Sequence, residues 1–149
     1  MSDLDELYQQ VILDHSRAPR NFHALDPADG KADGYNPLCG DRVTIFVNVD
    51  EQKVTDVAFI GKGCAICTAS ASMMTQQVKG KAASAVHEMF EHFHRMLTLD
   101  DSAEDEQALG KLAVFHGVRK YPVRVKCATL PWHTLKAALE HEQQPVSTE

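Results

Sequence analysis

The sequence lacks the features of several protein classes. It has no apolar run long enough to cross a bilayer, and its first residues, MSDLDELYQQ, lack the apolar core of a signal peptide. It has no excess of positive charge: 15 Lys and Arg against 21 Asp and Glu leave a net charge of -6, which argues against general affinity for nucleic-acid phosphates. It has no internal repeat or low-complexity segment. These absences predict a cytoplasmic protein that binds neither a membrane nor nucleic acid.

Length and composition indicate one globular domain. Of the 149 residues, 44% are apolar and 24% are charged, values typical of globular proteins. A chain of this length buries roughly two thirds of its unfolded surface, so we expect residues 1–149 to form a single domain. Composition leaves four cysteines unassigned: Cys39, Cys64, Cys67 and Cys127. Where thiols stay reduced, cysteines serve as buried packing groups, redox groups or metal ligands.

The first half of the chain has the pattern of one helix followed by strands. Apolar residues from Leu4 to Ile12 recur at helical spacing. The loop-rich segment 20–40 contains one short edge strand near Lys31–Tyr35. Val43–Val49 and Val54–Ile60 are typical of strands and predict an antiparallel hairpin. The sheet is therefore expected to be small, antiparallel and three-stranded.

The second half of the chain is predicted to be helical. Small and apolar residues from Ala65 to Lys79 indicate a buried helix, and an apolar stripe marks the next helix, from Val86 to Leu97. A short helix is expected around Glu104–Phe115. The last helix is expected to follow Cys127, because Pro131 is tolerated only in a first turn. One helix, a small sheet and several further helices packed against it make the fold class α+β.

The predicted hairpin brings distant side chains together. If its turn centres on Glu51, the numbers of facing residues sum to about 102, which places Cys39 opposite residue 63 and Asp41 opposite Gly61. Residues 39 and 41 are two positions apart, so an extended backbone points both side chains to the same side. Cys39, Asp41 and Cys64 are therefore expected at one end of the hairpin.

Two cysteines are expected at helix starts, where unpaired amides and positive potential favour thiolate over thiol: Cys64 and Cys127. If the last helix folds back over the hairpin, these two thiolates join Cys39 and Asp41 in a four-donor set of the kind that binds zinc. The buried-thiol interpretation stays open on spacing alone. Cys67 forms C-x-x-C with Cys64, but the chain lacks a parallel-sheet pattern, so we expect Cys67 to be a buried helix thiol rather than a redox partner.

Three segments around the cysteines resemble the IscU/NifU-like iron–sulfur cluster assembly family. They are LCGDRV at 38–43, GKGCAICTASAS at 61–72 and RVKCATLPW at 124–132. The segment LDHSRAPRNF at 13–22 also resembles the N-terminal segment of that family. The resemblance spans nearly the whole chain and implies a SufU/IscU-like fold.

Within this family, two features resemble the SufU-type branch. IscU-type proteins carry a histidine before the last motif cysteine, where this chain has Lys126. SufU-type proteins carry an insertion between the second and third motif cysteines, which Leu97–Lys120 resembles. This branch implies a zinc-dependent sulfurtransferase, an enzyme that accepts persulfide sulfur from a SufS-type cysteine desulfurase and passes it on for iron–sulfur cluster assembly.

The resemblance also implies a role for individual residues. The implied zinc ligands are Cys39, Asp41, Cys64 and Cys127. Cys39 would be the catalytic sulfur acceptor, and Arg124 would contact the desulfurase. Lys126 is expected either to support the neighbouring thiolate electrostatically or to extend into solvent.

A mechanism follows from these implied roles. The desulfurase docks, one of its side chains, a histidine in the family, replaces Cys39 on zinc, and the freed thiolate attacks the persulfide. Two alternatives remain. One is an IscU-like scaffold that assembles a [2Fe–2S] cluster, or holds iron, at the same residues, and Lys126 weighs against it. The other is a structural zinc module that only mediates binding.

Overall fold

The structure is a computed structural model that describes residues 3–99, 103–141 and 145–147; the side chains of residues 3–8 lie outside this description. Within these residues the elements follow in the order α1 (Asp3–Arg17), β1 (Gly30–Asn36), β2 (Asp41–Asp50), β3 (Lys53–Lys62), α2 (Ala65–Val78), α3 (Ala83–Thr98), α4 (Ala103–Leu109), a 3₁₀ helix (Gly110–Lys120), α5 (Pro122–Leu139) and β4 (Val146–Ser147). They form the α+β arrangement expected from the sequence. No helix in the described ranges is both long and apolar enough to span a bilayer.

The sheet has the strand order β3-β2-β1-β4. β2 pairs antiparallel with both β1 and β3, as predicted. The expected number of three strands was wrong by one, because β4 pairs in parallel with Gly34 and Tyr35 of β1. Two residues carry too little pattern to indicate a strand, and this one forms only where the chain end returns to the sheet. β1 is therefore covered on the side where an open edge was expected.

The β2–β3 hairpin has a different register from the predicted one. Val43 faces Gly61, whereas the prediction placed Asp41 opposite that glycine. The pairing is irregular between Asn48 and Val49, where an unpaired residue shifts the register. The consequence is local: Asp41 lies beside Gly63, which directly precedes Cys64, the residue before α2.

The helix α5 lies across β1 and β2, with α2 packed beside it. The buried rings of Trp132 and Phe93 stack with their centroids 4.9 Å apart. Gly34 of β1 permits the approach of α5, because a Cβ atom there would clash with the hydroxyl of Thr134. This close packing determines where α5 passes the end of β1.

The helix expected around Glu104–Phe115 is divided. α4 ends at Leu109, and the 3₁₀ helix continues from Gly110. Asp105 in the first turn of α4 accepts hydrogen bonds from His92 at 2.7 Å and from Arg95 at 3.0 Å, which tie α4 to α3. Residues 103–120 of the predicted insertion therefore fold as two helices that pack against α3.

Candidate metal centre

Cys39 lies in the four-residue loop that joins β1 to β2. The two strands close around it through the pair Asn36 and Asp41, the last residues in the register. The amides of Cys39 and Gly40 donate to the carbonyl of Asn36 at 3.3 and 2.9 Å. Cys39 and its neighbour Leu38 are exposed as residues, and Cys39 lines an open groove, while hydrogen bonds hold its backbone.

Asp41 is the buried carboxylate of the site. It begins β2 and is only 1% exposed. Its Oδ1 accepts a hydrogen bond from the amide of Cys64 at 2.7 Å. Gly63 makes this contact possible, because a Cβ atom there would come within 2.8 Å of Oδ1. The carboxylate therefore occupies one of the unpaired amides at the start of α2.

Cys64 is the residue that caps α2, as predicted. Its Sγ accepts from the amide of Cys67 at 3.4 Å and lies 3.8 Å from Oδ2 of Asp41. A hydrogen bond with the thiol of Cys127, followed by those from the amides of Cys67 and Ile66, lowers the pKa of Cys64 to about 7 against the opposing effect of burial. The Cys127 thiol and the start of α2 together favour the thiolate form of Cys64.

Cys127 reaches the site from inside α5, so the expectation that it precedes the last helix was wrong. α5 begins at Pro122, which suits a first helical position. Cys127 lies more than one turn further on, is 2% exposed, and has its Sγ 3.3 Å from Sγ of Cys39. Its pKa is raised, first by the hydrogen bond with the sulfur of Cys64 and then by burial. The helix start therefore does not activate this thiol.

Pro131 misled the prediction of where α5 begins. A proline inside a helix costs about 3 kcal/mol, because it removes the amide that would bond the carbonyl four residues earlier. Here that carbonyl belongs to Cys127, and Pro131 is buried. The hydroxyl of Ser70 in α2 donates to the next carbonyl, that of Ala128, at 2.6 Å. Packing of α5 against α2 and the sheet offsets a local cost that sequence rules treat as prohibitive.

The structure brings three of the four predicted donors into one group and places the fourth, Cys64, beside it. Donor atoms of Cys39, Asp41 and Cys127 all lie within 4.8 Å of one another, and Cys64 adjoins them through Asp41. No ion pair to Asp41 occurs among the residues that the structure describes. A buried carboxylate without a cationic partner is costly, and a divalent cation between it and the thiolates would remove that cost. Three sulfurs and one oxygen suit tetrahedral zinc, so the residues fit this metal.

Two further residues named from the sequence flank these donors. Cys67 is 3% exposed, and burial raises its pKa, which agrees with the predicted packing thiol. It contributes its amide, not its sulfur, to the contact with Cys64. Lys126 is half-buried on α5, with its carbonyl 3.4 Å from the hydroxyl of Thr129. Its electrostatic support of Cys127 remains a prediction.

A groove opens beside the exposed thiol. Its volume is about 750 Å³, and it runs between α1, the 3₁₀ helix and the start of α5, with Cys39, Cys64 and Cys127 at one end. Its walls are largely apolar, with Leu13, Val118 and Val123 among them. Arg124 also lines the groove and is exposed, and its guanidinium lies 4.7 Å above the ring of Tyr121. Sequence patterns did not reveal this groove, because α1 is distant in the chain from the 3₁₀ helix and α5.

Sequence reasoning also missed Asn36. This residue is fully buried, and its side-chain Nδ2 lies 3.8 Å from Sγ of Cys127. The available signal was the Asn-Pro pair at the end of a strand, which favours a turn. That signal predicts a loop, but it carries no information on a contact with a cysteine 91 residues away.

The chain matches the family described as the NifU-like N terminal domain over residues 7–128. Its relatives include the zinc-dependent sulfurtransferase SufU of Bacillus subtilis (strain 168), which is 41% identical over 145 residues and is matched over 95% of each chain. The iron–sulfur cluster assembly scaffold protein IscU of Streptococcus pyogenes serotype M1 is 39% identical over 140 residues, or 94% of this chain and 87% of the relative.

Solved structures have the same fold. A protein of Fervidobacterium islandicum AW-1, described as an iron–sulfur cluster assembly scaffold for the SUF system, is 37% identical and superposes with a TM-score of 0.83 over 90% of this chain and 97% of its own. A NifU-like protein of Brucella abortus is 26% identical, with a TM-score of 0.80 over 94% and 96%. The chain belongs to the NifU-like family, with the SufU/IscU-like α+β fold that the motifs implied.

Proposed function

We propose that this chain is a zinc-dependent sulfurtransferase of iron–sulfur cluster assembly. It accepts persulfide sulfur on Cys39 from a SufS-type cysteine desulfurase and passes that sulfur to a downstream assembly scaffold. One observation carries this proposal: among the donors, Cys39 is exposed while Asp41 and Cys127 are buried. An attacking group must reach its partner, whereas groups that only hold a metal need not. The similarity to a relative named as a zinc-dependent sulfurtransferase supports the proposal.

The residues that would hold zinc are Cys39, Asp41, Cys64 and Cys127. Zinc bound there would stabilise the thiolate form of its sulfur ligands at neutral pH. The carboxylate of Asp41 is a harder ligand than a thiolate and less suited to zinc, which would help a ligand to exchange. The amide of Cys64 holds Oδ1 of Asp41 at 2.7 Å and would keep this carboxylate in place.

The proposed chemistry is a sulfur transfer without net oxidation. The thiolate of Cys39 attacks the outer sulfur of the desulfurase persulfide. A bond forms between Sγ of Cys39 and that sulfur, the S–S bond of the partner breaks, and the partner cysteine leaves as a thiolate. The proton of the persulfide, where present, travels with the transferred sulfur. The loop of residues 37–40 presents Cys39 to this attack, while the buried donors stay behind it.

The groove beside Cys39 is the place where a desulfurase segment would approach. It is open to solvent and leads directly to the sulfur atoms. Arg124 is a suitable contact residue, because its guanidinium is already held over Tyr121 at the rim and its charge remains exposed. A cationic group there would also attract the negative charge of a persulfide.

Mass spectrometry of the zinc-loaded chain after incubation with a SufS-type desulfurase and cysteine tests this function. We expect an adduct of about 32 Da, one sulfur atom, on the peptide that contains Cys39. Cys39→Ser should carry no adduct, and the matched variant Cys67→Ser should carry it as the parent does. A working desulfurase that leaves the parent unmodified would exclude sulfur transfer, and an adduct that persists in Cys39→Ser would exclude Cys39 as the acceptor.

The scaffold alternative is favoured by a specific observation, the 39% identity to a relative named as an IscU scaffold. The same three thiols and carboxylate would then hold a [2Fe–2S] cluster or iron. Tight stoichiometric zinc in the protein as purified would argue against that function. A structural zinc module would bind zinc equally well, but it would not stimulate a desulfurase or carry a persulfide.

Two wider properties belong to the same proposal. A site that depends on free thiols suits a reducing compartment, and we place the protein in the cytoplasm. We also propose that residues 1–149 act as one domain, because α5 connects the sheet, α2 and the metal centre.

A further inference from the structure

We propose that Asn36 is a positioning residue of the metal centre, which sets the Cys39 loop with one side of its amide and binds the sulfur of Cys127 with the other. This inference rests on the proposed function, since it concerns the same sulfurs. Asn36 is fully buried and ends β1, opposite Asp41 across the strand pair. Side chains directly opposite one another in an antiparallel pair share a face, so Asn36 points to the face on which α5 packs.

The first contribution of Asn36 is to the loop. Its Oδ1 accepts from the amide of Leu38 at 3.1 Å, an Asx-turn. Its carbonyl accepts from the amides of Cys39 and Gly40 at 3.3 and 2.9 Å. One buried residue therefore binds three successive amides of an otherwise exposed loop. These bonds hold the backbone of Cys39 while its side chain remains free to meet a partner.

The second contribution is to Cys127. The carboxamide Nδ2 of Asn36 donates to Sγ of Cys127 at 3.8 Å. The orientation of the amide is determined by its other bond: if Nδ2 and Oδ1 were exchanged, a donor would face the Leu38 amide, which is itself a donor. The loop contact thus forces an N–H group toward the sulfur.

The hydrogen bond from Asn36 reaches the one of two neighbouring thiols that stays in place in the proposed reaction. Sγ of Cys39 lies 3.3 Å from Sγ of Cys127, yet only Cys39 must leave the site to attack. An N–H group directed at Cys127 stabilises negative charge on the sulfur that stays. Hydrogen-bond partners of this kind orient metal ligands, and their substitution typically lowers metal affinity by about 10- to 100-fold.

Asn36→Asp separates the two contributions. A carboxylate keeps an acceptor for the amide of Leu38, but it offers no donor and brings negative charge to the sulfur of Cys127. Asn48→Asp is a matched control: Oδ1 of Asn48 also accepts a backbone amide, that of Asp29 at 2.8 Å, at the far end of β2. Both variants make the same chemical change, and only one makes it beside the thiols.

The measurements are zinc affinity by competition with a chelator and the thiolate-to-metal absorption of the cobalt-substituted protein. We expect Asn36→Asp to weaken zinc binding by about 10- to 100-fold and to shift the cobalt absorption, with Asn48→Asp like the parent. Affinity and absorption equal to the parent in Asn36→Asp would overturn the role of Asn36. If the parent itself bound no zinc and accepted no sulfur, the proposed function would fail and this inference would fail with it.

A second measurement needs no substitution, and it applies even if Asn36→Asp does not fold. In nitrogen-labelled parent protein loaded with a magnetic isotope of cadmium, the carboxamide protons of Asn36 should show coupling to the metal through the sulfur of Cys127. The carboxamide of Asn48 serves as the internal control and should show none. Absence of the Asn36 coupling in a loaded, folded protein would overturn the proposed hydrogen bond.

Discussion

Cys64 and Cys127 reach the same site from two helices, and their pKa values are shifted in opposite directions. Cys64 caps α2, where the hydrogen bond with the Cys127 thiol, followed by those from amides of the first turn, lowers its pKa to about 7. Cys127 lies inside α5, where its pKa is raised. Both residues are cysteines at least partly shielded from solvent, so the difference comes from position in the helix and from which sulfur donates to which.

This comparison shows that identical side chains in one cluster can have opposite pKa shifts. Without a metal, negative charge is favoured on Cys64, first by the hydrogen bond with the Cys127 thiol and then by the amides of Cys67 and Ile66 at the helix start. A metal that needs all the sulfurs as thiolates must therefore displace the proton on Cys127, the residue that Asn36 contacts.

Removal of either helix cysteine should have the largest effect. We expect Cys64→Ala and Cys127→Ala each to weaken zinc binding by at least about 100-fold. The free energy of zinc binding to structural sites is roughly 10–16 kcal/mol, and the loss of one ligand removes part of it. Cys67→Ala is the control and should bind zinc like the parent. Zinc content after dialysis and affinity by chelator competition measure the effect. Full zinc retention in Cys127→Ala would show that α5 does not supply a ligand.

Alkylation of the zinc-free protein should separate the two thiols. The pKa of Cys64 is lowered, which favours its thiolate, whereas the pKa of the buried Cys127 is raised, which favours its thiol. We expect iodoacetamide to modify Cys64 at least about 10-fold faster than Cys127, with time courses read by peptide mass spectrometry. Cys67 should react as slowly as Cys127. Faster modification of Cys127 would reverse the comparison.

The coupling between the two thiols can be tested directly. Cys127→Ala should raise the pKa of Cys64, since the hydrogen bond with that thiol is the largest cause of the lowering. The pH dependence of Cys64 alkylation in the zinc-free protein measures the shift. Cys67→Ala should leave the midpoint in place, because Cys67 contributes through its backbone amide. An unmoved midpoint in Cys127→Ala would mean that the two sulfurs are not coupled.

The smallest expected effect concerns α1, which packs against α2. His15 is buried, and its Nδ1 lies 2.7 Å from the hydroxyl of Ser72 in α2. Burial, followed by the charge of Arg20, lowers the pKa of His15. The unfolded chain then binds a proton more readily than the folded one. The free energy of unfolding should therefore be unaffected by His15 above the ordinary histidine pKa of about 6.5, and it should decrease as the pH falls below that value.

Urea unfolding between pH 7 and pH 5 measures this decline. His15→Gln removes the titrating group and should make the decline shallower, whereas the same change at the exposed residue His23 should not alter it. Equal slopes in the parent and His15→Gln would show that His15 does not limit stability in acid.

Several elements could be predicted from the sequence because their signals are local. The alternation of Val43–Val49 indicated a strand of the hairpin, and the small and apolar residues from Ala65 to Lys79 indicated the helix that the structure shows as α2. The Cys39–Asp41 pair also lies at the predicted end of the hairpin. The start of α5, the strand β4 and the contact of Asn36 with Cys127 could not be predicted. Each depends on packing against elements that are far away in the chain.

The sequence by itself determined which groups take part: three thiols and a carboxylate in motifs that resemble one family, with a packing thiol beside them. The tertiary structure decided how those groups differ. Only the docking of α5 on Gly34 and α2 places Cys127 within 3.3 Å of Cys39 and lets Pro131 lie inside a helix. The reason is that helix and strand periods are local properties. The pKa of a thiol and the reach of a sulfur depend on neighbours from elsewhere in the chain, which only the folded structure brings together.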